Sequence, residues 1–146
     1  FISSTFWTER SGPAAANKTL EIMEKTKSWK TITKIGENVR KNWKKIASRN
    51  KLNIQISGIP ALSSFNILSD DWLKYKTFIS QEMLKKNFLA TNAIFASVRH
   101  NNAILDKYYD LLDGIFNKIS KFEQKTKSID RELEVPVCHS GFRRLN

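Results

Sequence analysis

Several things are scarce in this 146-residue chain. It holds one cysteine, Cys138, so no disulfide can close within it, and a reducing compartment, the cytoplasm, is the natural expectation. No second cysteine and no pair of histidines at ligand spacing accompanies it: His100 and His139 stand far apart, which argues against a metal centre. Cys138 and His139 are sequence neighbours, and adjacent side chains usually point apart, so they do not form a nucleophile and its base. No apolar run approaches the length of a membrane span, and no signal-peptide pattern opens the chain. Five glycines and three prolines are too few for a low-complexity or linker-rich protein. Acidic residues are also short, 14 against 25 lysines and arginines, which leaves a formal charge of +11. The lysines are spread over every predicted helix without an arginine-rich cluster, the pattern of a solvated face. A basic binding module for nucleic acid or protein is the alternative that the charge keeps open.

A starting methionine is lacking too: the first Met is Met23, and the chain opens on Phe1-Ile2-Ser3-Ser4-Thr5. A small-residue turn at Gly12-Pro13 runs directly into Ala14-Ala15-Ala16, which reads as an interior loop leading into a helix. On that expectation most of the machinery lies upstream, and function belongs to a parent protein.

What is present reads as one domain with a real core. The first helix starts at Gly12 or Pro13 and shows Leu20 and Met23 on one face. Ser28 looks like the N-cap of a second helix whose stripe is Trp29, Ile32, Ile35, Val39, Trp43 and Ile46, with Lys30, Lys34, Lys41, Lys44 and Lys45 in water. The period then becomes two: Leu52, Ile54 and Ile56 alternate with polar residues, Gly58-Ile59-Pro60-Ala61 turns, and residues 63–68 form a second strand antiparallel to the first. Ser69-Asp70-Asp71 starts a third helix carrying Trp72, Tyr75, Ile79 and Met83, ending near Asn87. Residues 88–98 are extended with a kink at Thr91-Asn92, and Asn101 caps the clearest helix, running to Phe122. Beyond it the apolar period stops, and residues 124–146 read as an extended tail, mobile or lying on a partner. The fold class is mixed α/β (α+β): a small antiparallel sheet of about three strands with helices packed on it.

The tryptophans at 7, 29, 43 and 72 fall mostly on helical stripes and read as core. Asp70 and Asp71 read as helix-starting charges. The opening loop carries more chemistry. Ser3, Ser4 and Thr5, then a turn and a helix start, are either plain caps or a set of donors for a phosphate, whose oxygens need several at once.

Here the sequence resembles a known family. Ser3-Ser4-Thr5-Phe6, a short turn, then Gly12-Pro13-Ala14-Ala15-Ala16 is similar to the loop-and-helix segment of class III pyridoxal-phosphate-dependent aminotransferases, in particular the glutamate-1-semialdehyde 2,1-aminomutase branch. Ile56-Ser57-Gly58-Ile59-Pro60 resembles the first strand and turn of that family's carboxyl-terminal small domain. Phe78 to Leu84 followed by Phe88 to Asn92 is similar to its late helix and strand, and Phe95-Ala96-Ser97 with His100 to its closing strand and last helix. The resemblance spans residues 1–122 and rests on order more than on any one motif. It implies a fold-type I enzyme whose carboxyl-terminal part this is. Residues 1–27 would end the large cofactor domain, 28–123 would be the small domain, and 124–146 the tail.

The resemblance further implies that Thr5 binds the phosphate of pyridoxal 5′-phosphate, with Ser4 as a backbone donor, in the active site of the neighbouring subunit of a homodimer. The implied reaction is amino transfer between small amino and oxo compounds by way of pyridoxamine phosphate, or its aminomutase (isomerase) variant, without nucleic acid or membrane. The Schiff-base lysine of the family lies before this loop, so no catalytic residue is expected in the chain, and the fragment alone is expected to be inactive. Glu9-Arg10 stands where family members often have Asn-Pro, Arg99 does not fit the family's carboxylate-anchor spacing, and His100 reads as a cap.

Overall fold

The structure is a computed structural model that describes residues 9–141. Its elements follow the order helix, helix, strand, strand, helix, strand, helix: α1 Ser11–Thr26, α2 Ser28–Arg49, β1 Ile54–Ile59, β2 Leu62–Ile67, α3 Trp72–Leu84, β3 Ala93–Phe95 and α4 Asn102–Glu123, then a single 3-10 turn at Ile129–Arg131. The expected mixed fold with a three-stranded antiparallel sheet is what forms. None of the helices is long and apolar enough to cross a membrane among the described residues.

The sheet order is β1-β2-β3, antiparallel throughout. Register pairs Ile54 with Ile67, Ile56 with Phe65 and Ile94 with Ser63, which turns these side chains toward the helices. Phe65 is fully buried at the centre, edge-on to Trp43 of α2 at 4.8 Å between ring centroids and to Phe116 of α4 at 5.6 Å. Trp43 is also buried, and its indole N–H donates to the Tyr108 hydroxyl at 2.9 Å, so the largest core side chain leaves no donor unpaired.

Two close approaches fix the hairpin. Gly58 has φ of 82°, in the left-handed region, and a Cβ there would lie 2.2 Å from the Leu62 carbonyl oxygen. Gly36 lets α2 touch the turn itself, since a Cβ would stand 1.8 Å from the Pro60 oxygen. This contact accounts for a correction to the expected α2 stripe. Burial begins at Gly36 and continues through Val39, Trp43, Ile46 and Ala47, where the hairpin arrives. Trp29, expected in the core, is exposed, lying in the first turn of α2 ahead of the part that the hairpin meets.

Other boundaries moved for local reasons. Lys27 in left-handed conformation, rather than the Ser28 side chain, separates α1 from α2. The extended stretch 88–98 keeps only three residues of strand, because Asn92 joins β2 with both ends: its carbonyl accepts from the Phe65 N–H and its side-chain amide donates to the Phe65 carbonyl, each at 2.9 Å. Asn101 caps α4 as expected, its side chain accepting from the Ile104 N–H. The segment after α4, expected to be a tail either mobile or lying on a partner, packs on α3 of its own chain over residues 129–138: Ile129 is buried, and Gln81 donates to the Glu132 carbonyl while accepting from the Glu134 N–H.

Candidate functional site

Ser4 and Thr5 lie outside the described residues. The described residues that follow them in sequence open α1. Its N-cap, Arg10, has helical backbone angles and makes no side-chain cap, so among the described residues the first amide N–H groups of the helix lack the usual cap partner. The Ser11 hydroxyl donates to the Glu9 carboxylate at 3.2 Å. A helix start of this kind offers backbone donors and the positive end of the macrodipole to an anion, while Glu9 sets a negative charge two residues from the first helical position.

The remaining sequence candidates are not brought together. His100 Nδ1 accepts from the Ser97 N–H at 3.3 Å, and the Arg99 N–H donates to the Ser97 hydroxyl, so this triplet closes the turn into α4. His100 also lines an apolar cavity of about 270 Å³ with Phe88, Ile94, Ile104 and Tyr108. Cys138 is half-buried, its N–H donating to the Thr77 hydroxyl and its thiol lying 3.6 Å from the Leu73 carbonyl, while His139 is exposed. Among the described residues no group of His, Cys, Asp and Glu has metal-holding geometry. Asp71 stands at the α3 N-cap position and pairs with Lys74 at 3.3 Å.

Two lysines are perturbed in the direction opposite to that of a nucleophilic amine. Hydrogen bonds donated to Asp130 and Asp71 hold Lys74 above the ordinary lysine range, and those donated to Glu134 and Glu82 do the same for Lys85. A Schiff-base lysine needs its ammonium destabilised instead. Tyr109 is pushed up to about 12, chiefly by burial. Sequence reading missed a cluster on the far side of the core: Glu82 takes Lys118 at 2.8 Å and Lys85 at 2.9 Å, and Lys85 reaches Glu134 at 2.6 Å. Only the Glu82–Lys85 spacing, three residues apart on one helix, was visible beforehand.

No protein-family model matches the sequence, and no curated protein does. The fold itself is shared with a solved structure, that of the PLP internal aldimine form of the Sphingopyxis sp. MTA144 FumI protein. The two agree with a TM-score of 0.74 over 91% of this chain at 18% sequence identity. The match takes up 33% of that protein's chain, so the present chain spans about a third of its length. At that identity the likeness is one of fold.

Proposed function

We propose that this chain is the carboxyl-terminal part of a pyridoxal-phosphate-dependent aminotransferase or aminomutase. The observation that carries the reading is the fold match over 91% of the chain to a protein solved with that cofactor. The ordered sequence resemblance through residues 1–122 supports it independently. Residues 1–27 supply the phosphate loop and the helix leading away from it, and residues 28–123 supply the small domain. The parent enzyme is cytoplasmic, acts on small amino and oxo compounds, and works as a homodimer with shared active sites.

When bound, pyridoxal phosphate supplies a conjugated ring that accepts the electrons of the substrate's breaking bond. This chain's contribution is binding and placement. The Thr5 hydroxyl and the Ser4 N–H would donate to the phosphate, and the start of α1 would lend its dipole to the same charge. The resembled family carries its Schiff-base lysine before this loop, so the amine that would meet the cofactor belongs to another part of the parent protein.

Thr5→Ala in the parent protein tests this. A hydrogen bond to a charged group contributes roughly 1.5–3 kcal/mol, so cofactor affinity should fall about 10- to 100-fold in a fluorescence titration with pyridoxal phosphate. Unchanged affinity would remove the phosphate role. The charge of +11 favours one rival, a basic binding module. Tight binding to a nucleic-acid duplex that weakens steeply with salt would establish the rival, and its absence at low salt would dismiss it.

A further inference from the structure

Lysines stand on every helix, but only one helix leaves them unbalanced. In α1, α3 and α4 the basic and acidic residues match to within one. By contrast, α2 with its flanking Lys27 and Lys51 holds nine lysines and arginines against a single acid, Glu37, which is eight of the chain's eleven net charges. Two of the nine are engaged: Arg40 donates to the Gly58 carbonyl at 3.3 Å, and Arg49 pairs with Asp113 at 2.8 Å. Lys30, Lys34, Lys41, Lys44 and Lys45 are exposed and share one side of the helix, within about 100° of arc. That side lies opposite the buried Gly36, Val39, Trp43, Ile46 and Ala47. The row runs about 22 Å along the helix axis, and among the described residues none of its ammonium groups meets a carboxylate.

A solvated helix face ordinarily interleaves both signs, as α1 does with Lys18 and Glu21 at 2.7 Å. Here Lys30 and Lys34, Lys41 and Lys44, and Lys41 and Lys45 are like-charge neighbours at helical spacing, and each pair destabilises the helix. Lys27 and Lys30 add positive charge at the positive end of the macrodipole, where the first turn has no acid. The row thus weakens its own helix, and the complement it lacks is an anion. Thr31, Thr33, Asn38 and Ser48 fill out the same side without an apolar residue, so the row has nothing to insert into a lipid surface. Glu37 stands in the middle, between Lys34 and Lys41. A phosphate ladder sets the same sign opposite every position and is repelled there, whereas a protein surface can set a basic residue against it. The chain's own acidic row, Asp106, Asp110 and Asp113 on α4, covers only about 10 Å, and Asp113 already holds Arg49.

We propose that the lysine row of α2 is a docking surface for an acidic segment of another protein, a helix whose carboxylates recur every three to four residues over about four turns. Charge complementarity carries the choice of partner. With no apolar anchor at its centre, the contact is small, forms fast and weakens steeply with salt. The surface lies beyond the cofactor reading and stands or falls without it.

The test is fluorescence anisotropy of a labelled helical peptide of about 20 residues, with glutamates at that spacing, titrated with the full-length protein at roughly 50 mM NaCl. Neutralising the row by Lys34→Gln, Lys41→Gln and Lys45→Gln together should weaken binding about 10-fold or more. The same loss of charge elsewhere, Lys86→Gln, Lys107→Gln and Lys121→Gln together, should leave it within about 2-fold. The Tm of the row variant should rise as the repulsion is relieved, which also shows that it folds; a fall would remove the reason for a partner. Equal weakening by the two sets would reduce the effect to net charge and overturn the row, as would no binding of the peptide at all. Tighter binding of an RNA duplex of about 20 base pairs, or of phosphatidylserine vesicles, would name a phosphate-bearing partner and overturn the proposal. Self-association in sedimentation that the row variant abolishes would name a second copy as occupant and overturn it too.

Discussion

Glu82 shows how a single carboxylate is set by its surroundings. Burial alone would raise its pKa, but hydrogen bonds from Lys118, Lys85 and Gln81 outweigh burial and hold it at about 2, against an ordinary 4.5. A folded pKa below the unfolded one means that the stabilisation is complete above about 4.5 and is lost as pH falls toward 2. Both lysines are more than 40% exposed, so solvent screens the cluster, and Glu82→Gln should cost only about 1 kcal/mol at neutral pH. The sharper sign is the pH dependence: urea unfolding between pH 5 and pH 2 should fall less steeply in the variant than in the parent. Gly36 is the opposite case, a residue fixed by what it touches rather than by charge. Alanine has the better helix propensity by about 1 kcal/mol, yet its methyl group would collide with the Pro60 backbone. Gly36→Ala should therefore destabilise by about 2 kcal/mol in the same assay, and a gain in stability would show that the hairpin can retreat.

At the level of elements, the shortage of glycine has a visible result. Lys27, Lys51, Asn87 and Lys125 all have positive φ, and each stands where a helix ends. Behind α2, α3 and α4 the bonding is that of a Schellman motif: Leu52 to Ala47, Phe88 to Met83 and Thr126 to Lys121 close the outer ring. Left-handed backbone costs a side-chain-bearing residue roughly 1 kcal/mol, and a lysine recovers part of this from the negative end of the helix. Lys51→Gly should raise stability by about 0.5 kcal/mol, read from the urea midpoint at constant slope. Element type and order were legible because the apolar periods of 3.6 and 2 are strong here, in α4 above all. What periodicity could not give was which face finds a partner. The α2 stripe from Trp29 to Ile46 is continuous in sequence, but only its part beyond Gly36 is met by the hairpin. The packing of residues 129–138 on α3 also left no periodic trace, since it is made by Gln81 and Thr77 bonding to backbone. Of the candidate site, the resemblance implied Ser4 and Thr5, which lie outside the described residues, and the structure describes only the helix that follows them in sequence.

For the whole molecule the governing quantity is the charge of +11. The ion pairs are mostly solvent-exposed and contribute little each, so the surplus of positive charge dominates the electrostatics of folding. Raising monovalent salt from roughly 20 mM to roughly 300 mM shortens the screening length and should raise Tm by a few degrees. A falling Tm would mean that the ion pairs outweigh the repulsion.

The break at Lys27 makes α1 a lever. Its 16 residues reach about 24 Å from that residue, so a turn of one degree there displaces Ser11 by about 0.4 Å. A phosphate-binding constellation tolerates misplacement of only about 0.5 Å. The placement of the amides that open α1 is then governed by the angular play left at one left-handed lysine. Whatever clamps α1 sets, in effect, where its first amides point.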